Sequence, residues 1–206
     1  MTDLRTRKRL ATRALISTAA TRLFLDRGFD KVTVDDIAAA ADVGRMTVFN
    51  HFPRKEDMFF DRDAEGREAI RAALRERDPA VAPIETLRQL AHRLLAERSP
   101  YLEFSEASQG FTATVEASEA LKARARAIRD ELAALVAGAL AEGAGRDPFD
   151  PEAHLAAEMI LAVWATAFIQ AHRAFRDDRD ATVVFLALID RGSRGVALAM
   201  AGTPYG

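Results

Sequence analysis

The stretch DVGRMTVFNHF, residues 42–52, places Arg45, Thr47, Asn50 and His51 among the apolar residues Met46, Val48, Phe49 and Phe52. On a helix this mixture gives one side that can be buried and another that offers hydrogen-bonding groups to an outside partner. The polar set suits recognition rather than bond making. A guanidinium carries paired donors that match O6 and N7 of guanine, a threonine can bond a base edge or touch a thymine methyl, and a methionine offers apolar contact only. A small core helix is the competing reading of the same residues.

Elsewhere the sequence is poor in reactive constellations. His154 and Glu158 stand four residues apart and could share a metal, but no third ligand accompanies them at helical spacing, so an ordinary surface pair is the simpler reading. There is no phosphate-binding loop and no nucleophile set beside a base. The absence of cysteine excludes disulfides, thiolate zinc sites and cysteine nucleophiles together. The expectation is a protein that is not an enzyme and needs no cofactor.

The net charge of −2 hides an asymmetry. Residues 1–55 hold 11 Lys/Arg against 6 Asp/Glu, while residues 56–206 hold 18 against 25. A basic head on an acidic body points to a polyanion as the partner of the head, the alternative being a solvated, arginine-rich first helix. The opening MTDLRTRKRL lacks the apolar core of a signal peptide, and the longest nearly apolar run, MILAVWATAFI at 159–169, falls short of the roughly 20 residues that span a bilayer. A cytoplasmic protein with no membrane partner is expected.

The elements that must position residues 45–51 are legible in the flanking sequence. With 49% hydrophobic residues, only 11 Gly and 7 Pro, and abundant Ala, Leu, Arg and Glu, the composition favours an all-α fold. A helix is predicted from near Arg7 to Gly28, where a left-handed glycine would let Phe29 pack back on Phe24. Thr33 and Asp36 have the spacing of a capping box and Val32 and Ile37 that of a hydrophobic staple, opening a helix over about 34–40. Asp42 can take the left-handed backbone of a tight turn, Val43 supplies an apolar plug, and Gly44 caps a second short helix, about 45–51, that ends before Pro53. Helix, plugged turn and helix together spell a helix-turn-helix.

Beyond Lys55 the pattern predicts longer helices. Ile84, Leu87, Ala91 and Leu94 form one stripe behind Pro83, and Leu121, Ala125, Ile128, Leu132, Leu135 and Ala139 form a seam. Asp150-Pro151 opens a helix over about 151–176, and the β-branched run at 182–189 is read as the start of a last helix because an isolated strand would have no partner. These two helices carry more apolar surface than one small domain covers, and Ala187, Gly192, Gly195 and Ala199 would let another helix approach closely. Homodimerisation through residues 151–201 is expected.

Laid out this way, TVDDIAAAADVGRMTVFNHFPRKEDMF resembles the tetracycline-repressor (TetR) family of transcriptional regulators, over about residues 9–60. The resemblance implies a three-helix DNA-binding domain, residues 1–55, followed by a larger helical ligand-binding and dimerisation domain, residues 56–206. It puts Arg45, Met46 and Thr47 where the family reads bases, and Thr33, Phe49, Asn50, His51 and Lys55 among the phosphate contacts. Phe49 departs from the Tyr usual there and so lacks a hydroxyl donor. Gly44 and Arg54 replace the more usual hydroxyl-bearing caps, and Arg5, Arg7, Lys8 and Arg9 are read either as a basic arm that could reach a minor groove or the backbone or as a solvated, frayed start to the first helix.

The implied function is that of a repressor. Its homodimer would bind a pseudo-palindromic operator on double-stranded DNA and be released by a small-molecule effector in the body. Trp164, Phe168, His172 and Phe175 recur on one helical face, and His92, Tyr101, Phe104, Gln109 and Phe111 come from segments expected to meet it. These are the candidate pocket residues, and they suit an apolar or amphipathic ligand.

Overall fold

The computed structural model describes residues 4–100 and 102–206, and all the regular elements among them are helical. The order is α1 (Leu4–Arg27), a 3-10 turn (Phe29–Lys31), α2 (Val34–Ala40), α3 (Arg45–His51), α4 (Glu56–Phe59), α5 (Asp63–Arg75), α6 (Pro83–Ala96), α7 (Glu106–Ala117), α8 (Glu119–Gly143), α9 (Pro151–Arg176) and α10 (Ala181–Ala199). By packing, the chain divides into two compact units. One runs to Arg62 and takes in Gly110–Ala125; the other comprises Asp63–Gln109 and Arg126–Gly206.

In the first unit Ile16, Ala20, Phe24, Phe29, Ile37, Val48, Phe52 and Met58 close a core, joined by Leu121 from α8. The unit extends past residue 55 for a physical reason: the ring of Phe59 stacks on that of Phe111 with centroids 4.4 Å apart, and Phe60 meets Phe111 edge-on. Arg124 pairs with Asp57 at 3.0 Å and Ser118 donates to Asp30 at 2.8 Å, fastening the same segment by polar contacts.

Two local expectations are revised. α1 begins at Leu4 rather than near Arg7, since leucine, arginine and lysine all favour helix and nothing in the segment interrupts it. Gly28 does take a positive φ of 84°, but its ψ of 143° lies outside the left-handed helical region, so it redirects the chain into the 3-10 turn instead of closing a left-handed cap. Phe29 nonetheless packs on Phe24 as expected, with ring centroids 4.8 Å apart.

The second unit is a bundle in which α9 and α10 pack along each other and α10 also packs on α6. Asp150 caps α9 by accepting from the N–H groups of Glu152 and Ala153, and its second oxygen accepts the hydroxyl of the fully buried Tyr205 at 3.1 Å. By length and composition α9 would be able to cross a membrane, but its small residues Ala153, Ala156, Ala157, Ala167 and Ala171 are buried in the packing of this unit. On α8 the buried strip is Ala133, Val136, Ala137, Leu140 and Ala141, one position on from the expected Leu132, Leu135 and Ala139. A strict alternation of four and three walks around a straight 3.6-residue helix, and the alanines allow the closer approach.

Of the four small residues expected to face a partner, Gly192 is used within the chain. A Cβ there would overlap both methyls of Val163 on α9, whereas nothing lies within 4 Å of one at Gly195. A polar network ties α6 to α10 nearby. Arg88 holds Glu85 through two hydrogen bonds, 2.7 and 2.8 Å, and Asp190 Oδ1 accepts from both Arg88 Nη1 at 2.8 Å and His92 Nε2 at 2.7 Å. Burial pushes the Asp190 carboxyl up, but the hydrogen bonds from His92 and Arg88 outweigh it and hold the group below its ordinary value. Arg88 likewise lowers Glu85.

Two predictions follow from this packing. Gly192→Ala should lower stability by about 1–2 kcal/mol in denaturant unfolding, because overpacking against a rigid Val163 exceeds the helix propensity that alanine adds. Carboxylates with depressed folded pKa values add stability above the unfolded value and lose it as pH falls through the folded one. The thermal midpoint should therefore fall on acidification below about pH 4, and Asp190→Asn should lower it at neutral pH while flattening that acid loss.

Candidate nucleic-acid interface

The capping box that opens α2 is fully formed. Thr33 Oγ1 accepts the Asp36 N–H at 3.1 Å and donates to the Asp36 carboxylate at 2.6 Å, which also accepts the Thr33 N–H at 2.8 Å. The Thr33 hydroxyl bond, then its backbone N–H, hold the exposed Asp36 carboxyl below its ordinary value. α2 ends with Asp42 at φ 52° and with the Val43 N–H bonded to Ala38 O at 3.0 Å, a Schellman closure in which an aspartate takes the place usual for glycine. Val43 then packs against the core of the unit, and Gly44 starts α3 with an extended backbone and no side-chain cap.

α3 has two faces at helical spacing. Val48 is fully buried, as is Phe52 just beyond the helix, whereas Arg45, Met46 and Asn50 are exposed and Phe49 is half-buried beside them. Met46, 69% exposed, has no intramolecular reason to be apolar at that position. Thr47 and His51 are half-buried at the flanks. Arg45 Nη1 pairs with Asp35 of α2 at 2.6 Å, both side chains remaining mostly exposed, and its guanidinium carbon lies 5.6 Å from the centre of the Phe49 ring.

The expected phosphate contacts do not all present themselves alike. Asn50 and His51 lie at the accessible end of α3. Lys55 directs its ammonium inward, donating to the carbonyls of Phe29 and Val32 at 3.0 Å each and lying 4.1 Å from the Phe29 ring centre. The Thr33 hydroxyl is engaged in its capping box. α4 starts without a side-chain cap, but its N-cap is Lys55 rather than the Arg54 expected there, the helix beginning one residue later.

Two contributors were not singled out from sequence. Arg13 lays its guanidinium carbon 3.9 Å above the Phe52 ring centre and donates to the His51 carbonyl at 2.5 Å, closing the C-terminal end of α3. Its spacing from α3, 38 residues, carries no local signal. The second is Asp35, ten residues before Arg45. Burial, followed by the positive charges of Arg9 and Arg13, depresses the His51 pKa, so the basic start of α1 and the end of α3 make one cationic edge.

The candidate ligand residues divide. Phe104, Phe168 and His172 form a ring cluster with Phe185, centroids 4.2–6.3 Å apart, and Gln109 donates to the His172 carbonyl at 3.0 Å. Trp164 packs between two core clusters with its indole N–H buried and without a hydrogen-bond partner among the described residues. His92 belongs instead to the Asp190 network, and Phe111 to the core of the first unit. Tyr101 lies outside the described residues. His154 faces the Pro148 carbonyl and Glu158 pairs with Arg129, and no group of three metal-binding side chains occurs among the described residues.

Known proteins agree with this geometry. Residues 16–61 match the family model described as bacterial regulatory proteins, tetR family. The chain is 36% identical over 84 residues to the HTH-type transcriptional regulator TcmR of Streptomyces glaucescens, a match spanning 41% of this chain and 37% of that one. In fold it is similar to NalD, the secondary repressor of the MexAB-OprM multidrug efflux pump in Pseudomonas aeruginosa, with TM-score 0.59, 22% identity and coverage of 91% and 96% of the two chains. It is also similar to SmeT in complex with triclosan, with TM-score 0.60, 21% identity and coverage of 90% and 91%. The similarity to the tetR family of bacterial regulatory proteins thus lies in residues 16–61, and along the rest of its length the chain shares the fold of those solved structures.

Proposed function

We propose that the chain is a sequence-specific repressor that acts in the cytoplasm as a homodimer on a pseudo-palindromic operator and is released by a small molecule bound in its second unit. The observation that carries this reading is the outer face of α3, where Arg45, Met46 and Asn50 stand exposed on a helix whose other face is anchored by Val48. Arg45 with Met46 and Thr47 would read base edges, and Asn50, His51 and the Arg9/Arg13 edge would meet phosphates. Phe49 would pack on the sugar-phosphate backbone, and Thr33 and Lys55 would reach phosphate only by giving up contacts they already make within the head.

Dimerisation is supported by the apolar surface left on the last two helices. Leu155 and Ile169 on α9, and Val183 and Leu198 on α10, are all at least half exposed, and Gly195 is open to close approach. Two heads related by a two-fold axis would meet half-sites about 34–36 Å apart or a multiple of that. An effector would act by its difference in affinity for the DNA-competent and incompetent states. That SmeT forms a complex with triclosan supports an apolar or amphipathic ligand for this chain also.

Binding-site selection from random DNA should enrich an inverted repeat, and Arg45→Ala should relax discrimination at one base pair per half-site by about 1–3 kcal/mol. Asp35→Asn removes both a competing partner for Arg45 and a carboxylate facing the phosphates, so it should tighten binding and steepen its salt dependence. Unspecific binding by the wild type, fading simply with salt, would reject sequence recognition. A phosphate beside His51 favours the imidazolium that burial and Arg9 and Arg13 disfavour in the free head, so affinity should rise as pH falls toward the depressed pKa of the free protein, below the ordinary 6.5. Fluorescence anisotropy across that range should lose the trend in His51→Gln.

A further inference from the structure

Sulfur in this chain is thioether alone. The sequence has five methionines and no cysteine, so a two-electron oxidant that attacks sulfur meets no competing thiol. The described methionines are shielded to very different degrees. Met58 is fully buried in the core of the first unit and Met200 is 2% exposed in that of the second, while Met159 is half-buried against the same second core. Met46 is 69% exposed and belongs to none of these cores. Exposure sets the order of methionine oxidation, because the oxidant must reach a sulfur lone pair.

The place of Met46 gives its exposure a consequence. It is the second residue of α3, and with Arg45 and Asn50 it forms the outward face left by the burial of Val48. An unbranched thioether is flexible and apolar, and it adapts to an irregular partner surface. Its sulfoxide is polar and chiral, with an oxygen that accepts hydrogen bonds and no proton to donate. Pressed against a phosphate backbone or a thymine methyl, that oxygen would lose water without gaining a donor.

We infer that Met46 is a site of reversible oxidation, by which hydrogen peroxide weakens the hold of α3 on DNA. The sulfur lone pair attacks one peroxide oxygen, the O–O bond breaks, a sulfur–oxygen bond forms, and the other oxygen leaves as water after proton transfer. Sulfur gives up two electrons and the peroxide accepts them. The return step, that of methionine sulfoxide reductases, oxidises two thiols to a disulfide and releases the oxygen as water. Neither step disturbs the fold, since Val48 and Phe52 hold α3 from its other side. The oxidation requires only an exposed side chain; its effect on DNA rests on the repressor reading above.

The test treats the full chain with graded hydrogen peroxide and follows each methionine by peptide mass spectrometry, together with the thermal midpoint and affinity for the operator obtained by binding-site selection. Met46 should oxidise ahead of Met159, and at a dose at least about tenfold below that needed for Met58 or Met200. Operator affinity should fall in step with Met46 sulfoxide by at least about tenfold, a change of about 1.4 kcal/mol, at an unchanged thermal midpoint. Methionine sulfoxide reductases with dithiothreitol should restore it. Met46→Leu, whatever its own affinity, should keep that affinity through the same treatment. Oxidation of Met159 or a buried methionine at the same dose as Met46, or an equal loss of affinity in Met46→Leu, would overturn the proposal. If the wild type selects no operator, the repressor reading fails and the effect on DNA fails with it, while the order of oxidation still decides the modification site. A selected operator that binds the sulfoxide as tightly as the thioether rejects this proposal alone.

Discussion

α3 is seven residues long, and a helix of that length does not hold together in water by its own hydrogen bonds. It exists because Val48, and Phe52 immediately after it, are drawn into the core of the first unit, and that burial leaves its opposite face outward. Everything around it serves this anchoring. The capping box of Thr33 and Asp36 starts α2, the Asp42–Val43 closure ends it and sets the angle of the next helix, and Arg13 stacked on Phe52 stops α3 from fraying. An exposed face of three or four side chains therefore depends on a core of more than a dozen residues.

The same economy explains the cations. A head meant to meet a polyanion would be expected to leave its basic groups free, yet Lys55 is spent on two backbone carbonyls and an aromatic face. Those carbonyls close the 3-10 turn between α1 and α2, and an ammonium is a strong donor for them. Arg45 is held only by Asp35, and because both side chains stay mostly exposed that ion pair contributes little. Burial and exposure, more than charge count, thus separate the structural cation Lys55 from Arg45, which an exposed pair holds.

The second unit is organised on small residues. Ala156, Ala157, Ala167 and Ala171 on α9 and Gly192 on α10 let two long helices lie close, and the polar network of Arg88, Asp190 and His92 joins α10 to α6 at the other side. Such packing leaves Ser193 Oγ and the Trp164 indole N–H buried without hydrogen-bond partners among the described residues.

What the sequence by itself determined was local. Capping residues, a turn aspartate, prolines at first helical positions and 3.6-residue periodicity act over a few residues, so α2, α3, α6 and α9 stand where those signals put them. The tetR resemblance and the exposed face of α3 could be read in the same way, because they lie within one contiguous stretch. Only the tertiary structure decided which residues far apart in the chain come together. It sent Phe111 to the head and His92 to Asp190, turned Lys55 inward, brought Arg13 to His51, and closed Gly192 against Val163. No periodicity encodes these pairings, since a side chain's partner across a core is set by how helices cross and not by its neighbours in sequence.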